Sequence, residues 1–359
     1  MRTRSTLIDT LKIVASQLIV WHHLSAYSPM AHLLETSWPT LFGLLFDGGR
    51  MVVQCFLVIS GFLAAQATLK GREASLLQSI WARYLRLAPQ FAVALLLVLG
   101  VMAWTKSFFH PDWVSNMPTL WEFVAHVLML QGVEGVPAIS AGAWYVAIDF
   151  QLSVSFALLL WLLPREVSGR PRPVVVLCVA ALTAASWWGF NRMASLDVWA
   201  LYFWGAYGLG VLAGWRRASA WAQSMLAVLL MAMAVDALLD FRARPVLAAF
   251  TAMALALFSE RDVLPARLRS AWRILSDATY PVFLVHFAVI LCFSALWSVS
   301  PWQSQAWAGF FLLLTWAASL GVGIVFNLWV KVPKGWHHMG QAPLPQRPPD
   351  LKRGDTSLT

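Results

Sequence analysis

Charged residues are scarce in this sequence. Asp, Glu, Lys and Arg make up only 12% of the 359 residues, while 59% are hydrophobic and the mean hydropathy is +0.66. A soluble domain carries about 25% charged residues, roughly twice this share. The shortage excludes an ordinary soluble globular protein and predicts an integral membrane protein.

Cysteine is scarce as well. The chain has three, Cys55, Cys178 and Cys292, all in apolar segments and without the spacing of metal ligands. We interpret them as small buried hydrophobic residues. The sequence therefore predicts neither a disulfide framework nor a metal site, and we expect no permanently bound cofactor.

Acidic residues are outnumbered. There are 17 Asp and Glu against 26 Lys and Arg, which gives a net charge of +9. In a soluble protein this excess would suggest a nucleic-acid partner. In a membrane protein, Lys and Arg gather in cytoplasmic loops and set the orientation. We therefore read the excess as a topology signal and expect no nucleic-acid partner.

Long apolar runs predict an all-α, polytopic transmembrane helix bundle. A helix needs about 20 mostly apolar residues to cross a bilayer. Ten segments qualify: 7–27, 40–69, 80–104, 143–163, 173–190, 197–214, 221–239, 245–259, 277–299 and 305–330. The apolar stretch 119–131 reaches only about 20 Å at 1.5 Å per residue, so we expect it to be re-entrant or interfacial.

The distribution of basic residues predicts the orientation. With the N-terminus in the cytoplasm, most Lys and Arg fall in inner segments. The basic residues of the outer loops are then Lys106, Arg192, Arg242 and Arg244. An eleventh span at 119–131 would reverse every later loop, so we predict ten spans with both termini cytoplasmic. Residues 1–332 form the membrane domain, and 333–359, rich in proline and charge, are expected to be a disordered cytoplasmic tail.

The first predicted span contains ionisable residues, which cost at least about 2.5–3.5 kcal/mol at the bilayer centre and so require a reason. Asp9 and Lys12 lie near its inner end and His23 in its outer half. Lys12 and His23 are separated by about three helical turns and share a face. Histidine is well suited to accept a proton near neutral pH, although an interfacial histidine bonded to a neighbour is an equal alternative. His22 points about 100° away and is expected to be a bystander.

The next two spans carry arginines and small residues. Arg50 lies within a predicted span and is expected to face a wet cavity or to pair with Asp47 or another acid. Ser60, followed by a glycine, permits close helix packing or a kink. Arg83 and Arg86 share a face at the cytoplasmic boundary, where two guanidinium groups can bind phosphate oxygens or simply anchor the topology.

Two later spans place further polar groups in the apolar interior. Asp149 is predicted about a turn and a half below the outer surface, where it could hold a histidine tautomer, bind a sugar hydroxyl or neutralise Arg50. Tyr280 and His286 follow in a later span. His286 either is structural, bonding a backbone carbonyl, or lines the same cavity as the other groups.

Together these segments resemble the acyltransferase family three of integral membrane proteins, which includes O-acetyltransferases of glycans and lipopolysaccharide. The resemblance covers residues 5 to about 330. Its landmarks are, in the family's order, Asp9, Lys12 and His23; Gly49, Phe56, Ser60 and Gly61; Arg83, Arg86 and Pro89; and Tyr280, Pro281, Leu284 and His286. The sequence departs from the family pattern at Asp149, where the family has Glu, at Cys55, where it has Phe, and at Thr279, where it has Ser. We also expect no appended soluble esterase-like domain.

The resemblance implies transfer of an acyl group, most often acetyl, from acyl-CoA to a hydroxyl of a carbohydrate or glycolipid in a bacterial inner membrane. Residues 1–332 are then the acyltransferase domain. His23 would be the general base, with Asp149 also catalytic, and a covalent acyl-His23 is the alternative. Lys12, Ser60, Arg83 and Arg86 would bind acyl-CoA from the cytoplasm. Asp9, Arg50, Tyr280 and His286 would line the pocket, with Arg50 or His286 as oxyanion partner.

A transporter or flippase is the rival class. His23, Arg50, Asp149 and His286 would then form a proton relay or substrate site. Transporters often show paired halves with broken helices, and no such pattern is visible in the sequence. A purely structural membrane subunit would leave the polar groups without a use. Release of free CoA from acetyl-CoA separates an enzyme from both alternatives.

Overall fold

The computed structural model describes residues 5–70, 75–163, 170–260 and 264–330, and these ranges contain helices and no strand. The helices in chain order are α1 (Thr6–Tyr27), α2 (Pro29–Glu35), α3 (Pro39–Met51), α4 (Val53–Thr68), α5 (Leu76–Thr105), α6 (Leu120–Val127), α7 (Ala143–Leu162), α8 (Pro173–Trp188), α9 (Ala200–Trp215), α10 (Ala220–Leu239), α11 (Ala243–Phe258), α12 (Arg269–Ser298) and α13 (Gln305–Trp329). The all-α polytopic fold is confirmed. The predicted tail, 333–359, lies outside the described residues.

Seven helical stretches in the described ranges are long and apolar enough to cross a membrane. They are the joined α3 and α4, and α5, α7, α8, α10, α12 and α13. Helices α1, α9 and α11 occupy the other three predicted spans. The total of ten and the orientation stay predictions. Helix α6 has eight residues and is about 12 Å long, so it is too short to cross.

The predicted span 40–69 is two helices. Helix α3 ends at Met51 and α4 begins at Val53, so the helix is interrupted at Val52, which keeps helical backbone angles. Helix α3 runs beside α1 and covers one of its faces. The break therefore separates Arg50, at the end of α3, from Ser60 in the middle of α4.

Helix α9 forms the centre of the bundle, and Leu201 alone of its residues is not buried. Glycines allow its backbone to touch that of α4. A Cβ added at Gly210 would collide with the Val58 carbonyl, and one added at Gly61 would collide with the Tyr207 carbonyl. Small residues at helix crossings let membrane helices pack closely. This crossing fixes α4, and with it the position of Ser60.

A buried histidine holds the segment between α6 and α7. Nδ1–H of His126 donates to the Glu122 carbonyl (2.7 Å), and Nε2 accepts from the Ile139 amide (3.2 Å). Burial lowers the pKa of His126, so the neutral ring that makes both bonds persists at neutral pH. The Gln131 amide also donates to the Ala143 carbonyl (2.9 Å). These bonds fix the first turn of α7.

Candidate active site

Two histidines from distant parts of the chain meet inside the bundle. Helices α1 and α12 pack together, so that Nδ1 of His23 lies 2.6 Å from Nε2 of His286. His23 is 6% exposed and His286 is fully buried. The His23 ring therefore faces the protein interior and not the lipid.

Hydrogen bonding sets the tautomer of both rings. Nδ1 of His286 lies 3.2 Å from the Val282 carbonyl, which can only accept, so this nitrogen carries a hydrogen. In the neutral ring Nε2 of His286 then has a lone pair and accepts from Nδ1–H of His23. The same reasoning leaves Nε2 of His23 with its lone pair free. We call His23 and His286 the histidine dyad; its one basic atom left for a substrate is His23 Nε2.

His22, expected to be a bystander, lies beside His23 and packs against α3. Its ring centroid lies 4.9 Å from that of His23 and 5.6 Å from that of Phe46 on α3. Its Cβ lies against Gly49, where an added methyl group would collide with it. Helix α3 covers this face of α1, and the bystander role of His22 stays a prediction.

A second polar cluster lies where α4, α5 and α7 meet. Arg83 forms an ion pair with Asp149, whose side chain is 6% exposed. The Ser60 hydroxyl donates to Oδ1 of Asp149 (2.8 Å) and accepts from Nη2 of Arg83 (3.1 Å). Asp149 therefore holds an arginine, whereas His286 fixes the tautomer of His23. The expectations that Asp149 orients a histidine or neutralises Arg50 are corrected, and its catalytic role is not favoured by this geometry.

Arg86 differs from Arg83 in being exposed, without an ion-pair partner in the described part of the chain. Asp149 and Tyr280 are nevertheless close enough to act on it electrostatically. Arg86 is therefore an exposed cation close to the pair of Arg83 and Asp149. The Tyr280 hydroxyl donates to the Leu87 carbonyl (3.2 Å) and ties α12 to α5 beside Arg86.

The other predicted pocket residues lie apart from the dyad. Asp9 is buried and accepts from the Ser276 hydroxyl (2.6 Å), which joins the beginning of α1 to α12. Lys12 is half-buried one turn further along α1. The Arg50 side chain is 49% exposed and lies 3.7 Å from Asp47, which confirms their pairing. Arg50 is therefore part of an exposed ion pair near the end of α3, which does not fit an oxyanion role.

Three residues that the sequence did not single out complete the site. The rings of Tyr145 and Phe283 lie 5.3 Å apart, and Phe283 lies 5.9 Å from the His286 ring. Tyr145 is also within electrostatic reach of Arg83 and Asp149, so this ring pair connects the two clusters. Gln151 caps the start of α9, accepting from the Ala200 amide (2.9 Å) and donating to the Val198 carbonyl (3.1 Å). Of these three residues, Gln151 alone could have been found from the sequence, because a polar amide inside an apolar helix needs a partner.

The pairing of Arg83 with Asp149 has a measurable consequence for stability. Asp149→Asn leaves a largely buried guanidinium without its counter-charge, and such a change costs about 3–5 kcal/mol. We expect a clearly lower Tm in detergent, and a partial recovery in the double variant Asp149→Asn, Arg83→Gln, which removes both charges. Thermal unfolding followed by tryptophan fluorescence measures this. A Tm unchanged in the single variant would contradict a structural role.

The fold and the two clusters define an integral membrane protein with a polar site enclosed by its helices. A family model described as an acyltransferase domain, of acyltransferase family three, matches residues 6–327, and the chain therefore belongs to this family. This match confirms the resemblance seen in the sequence.

One curated relative shares part of this domain. It is the regulator of hypoxia-inducible factor 1 of Caenorhabditis elegans, 29% identical over 119 residues. The match covers 31% of this chain and 23% of the relative, so the chain spans well under two thirds of that protein's length. No solved structure matches the chain significantly.

Proposed function

We propose that the protein transfers an acyl group, acetyl in the first place, from cytoplasmic acyl-CoA to a hydroxyl of a carbohydrate or glycolipid that arrives from the opposite side of a bacterial inner membrane. The observation that supports this most strongly is the histidine dyad. It holds a neutral imidazole inside the bundle with one basic nitrogen, His23 Nε2, left for a substrate.

The dyad can act first as a general base and then as a general acid. His23 Nε2 removes the proton of the acceptor hydroxyl as its oxygen attacks the thioester carbonyl. The new C–O bond forms, the C–S bond breaks, and the proton passes from Nε2 to the leaving thiolate, so CoA departs as the free thiol. His286 accepts a hydrogen bond from His23 throughout and stabilises the charged ring. The variant with a covalent acyl-His23 uses the same nitrogen.

The donor is expected to enter beside the exposed Arg86. CoA carries a pyrophosphate and a further phosphate, and an exposed guanidinium is a good partner for such groups. Arg83 contributes less because Asp149 and Ser60 already occupy it. Lys12 supplies a further cation on the His23 face of α1. The thin pantetheine arm then leads past Tyr145 towards the dyad.

Release of free CoA tests the proposal directly. Purified protein in detergent receives acetyl-CoA and a panel of glycans and glycolipids, and a thiol reagent measures free CoA. We expect release that depends on the acceptor, with ester formation confirmed by mass spectrometry. A His23→Asn variant measures background hydrolysis. Folded protein that releases no more CoA than this variant with any acceptor would exclude the proposal, and acyl-CoA-independent movement of a glycolipid across vesicles would favour the transporter.

The unpaired arginine provides a sharper prediction. Arg86→Gln removes a charge-assisted hydrogen bond worth about 1.5–3 kcal/mol, so we expect KM for acetyl-CoA to rise about tenfold or more. Turnover at saturation should change by less than about threefold, because Arg86 lies away from the dyad. Steady-state kinetics measure both values.

Arg273→Gln is the matched control for this prediction. Arg273 is an exposed arginine in the first turns of α12, the helix that carries His286. Its loss is expected to leave KM unchanged. Equal KM values for the Arg86 variant and the wild type would assign Arg86 to topology alone.

A further inference from the structure

Phe283 lies on α12 between Tyr280, whose hydroxyl bonds the Leu87 carbonyl next to Arg86, and His286 of the histidine dyad. It lies on α12 nearly one turn before His286, and the two ring centroids are 5.9 Å apart. On its other side it meets the edge of Tyr145 at 5.3 Å, and Tyr145 is within electrostatic reach of Arg83. An acyl group whose CoA phosphates rest at Arg86 is therefore expected to meet this ring on its way to His23.

The end of the Phe283 ring, at Cζ, faces Gly142. Gly142 caps the start of α7 with an ordinary φ of −87°, so alanine is conformationally permitted there. A Cβ at this position would lie 2.9 Å from Cζ of Phe283 and 3.1 Å from Cε1. The absence of a side chain at Gly142 thus makes room for the end of the Phe283 ring.

A narrow gap lies beside this contact. Phe283 and Leu284 of α12, Phe91 and Leu95 of α5 and Ala143 of α7 line it together with Ser140, and it is too tight to hold a water molecule. The lining is mostly apolar, which suits hydrocarbon better than a polar group. The Phe283 ring must therefore move before an acyl chain can enter this space.

We propose that Phe283 is the residue that limits the acyl chain, and that the natural donor carries a short, unbranched acyl group. The ring occupies the space that additional methylenes would need. Gly142 leaves the end of the ring room to move aside for the shortest chains. This inference rests on the proposed function, since it assigns a chain-length determinant to the same transfer reaction.

Enlarging the space tests the proposal. Phe283→Ala is expected to raise the ratio of kcat/KM for hexanoyl-CoA to kcat/KM for acetyl-CoA by about tenfold or more. The reason is that room for one additional methylene changes the ratio of kcat/KM between two substrates by at least about this factor. Phe283→Leu, which preserves more of the packing, should shift the ratio in the same direction by a smaller factor. Phe287→Ala is the matched control: Phe287 is an equally buried phenylalanine one turn further along α12 that packs on Tyr27 and Trp113. Its ratio should stay at the wild-type value.

Reducing the space gives the opposite result. Gly142→Ala puts a methyl group against the end of the ring, so the ring has less room to move aside for a longer chain. We expect activity with butyryl-CoA to fall at least about fivefold more than activity with acetyl-CoA. Opposite shifts from two residues that touch one another would not arise from general loss of structure.

Binding separates failure of this inference from failure of the proposed function. Non-transferable thioether analogues of acetyl- and hexanoyl-CoA are tested for their effect on Tm. The wild type should be stabilised by the acetyl analogue more than by the hexanoyl analogue, and Phe283→Ala should remove the difference. A wild type that turns over acetyl-CoA while no Phe283 or Gly142 variant changes the chain-length profile overturns the role of Phe283 alone. A wild type that neither binds nor turns over any acyl-CoA overturns both.

Discussion

His23→Ala is expected to lower kcat for acyl transfer by about 10³-fold, within the range of 10²–10⁴ typical for a lost general base. The imidazole is buried, its tautomer is fixed, and Nε2 is the basic atom left for a hydroxyl. KM for acetyl-CoA should change little, because the phosphates bind elsewhere. CoA release under saturating donor measures the effect.

His22→Ala is the control for this experiment. It removes the same kind of side chain from the neighbouring position, where the ring packs against α3. We expect less than about fivefold loss of kcat in folded protein. A loss equal to that of His23→Ala would show that the effect comes from disturbing α1 and not from removing the base.

Replacement of His286 should reveal that its role is to position His23. His286→Leu removes the acceptor for Nδ1–H of His23, so the neutral ring is free to adopt the unproductive tautomer or orientation. We expect kcat to fall about 10²-fold while KM stays within about threefold. His286→Gln keeps an acceptor oxygen of similar reach, and should recover at least about tenfold of this loss.

The comparison of the two His286 variants distinguishes a positioning role of His286 from a role in packing. A role in packing alone would favour the apolar leucine, or would make the two variants equal. Wild-type kcat in His286→Leu would remove the dyad from the mechanism. Circular dichroism and Tm confirm that each variant is folded before its kinetics are compared.

The fold was predictable because span length and apolar composition are local properties. The segment 80–104 became α5 and 305–330 became α13 with changes of a few residues at the ends. The depth of individual side chains in the membrane was less predictable. Helix α5 has 30 residues and is about 45 Å long, longer than the bilayer core, so the distance of Arg83 from its end does not fix its depth. Arg83, expected at the inner boundary, consequently meets Asp149, expected nearer the outer surface.

The site was predictable residue by residue but not in its pairings. His23, His286, Arg83, Asp149 and Ser60 stood out because polar groups in apolar helices need partners. Which partners they find depends on how helices rotate and cross, and 263 positions separate the two histidines. A phenylalanine in an apolar helix carries no such signal. Phe283 belongs to the site only because the fold places it on α12 beside Tyr145 of α7.

The most direct test of the account is a structure with a non-transferable acetyl-CoA analogue bound. The account predicts its pyrophosphate at the Arg86 guanidinium, its arm beside Tyr145, and its acyl carbonyl next to the dyad, with room for an acceptor oxygen about 3 Å from both the carbonyl carbon and His23 Nε2. An analogue bound away from Arg86, or with its carbonyl beyond reach of any group held by His23, would contradict it.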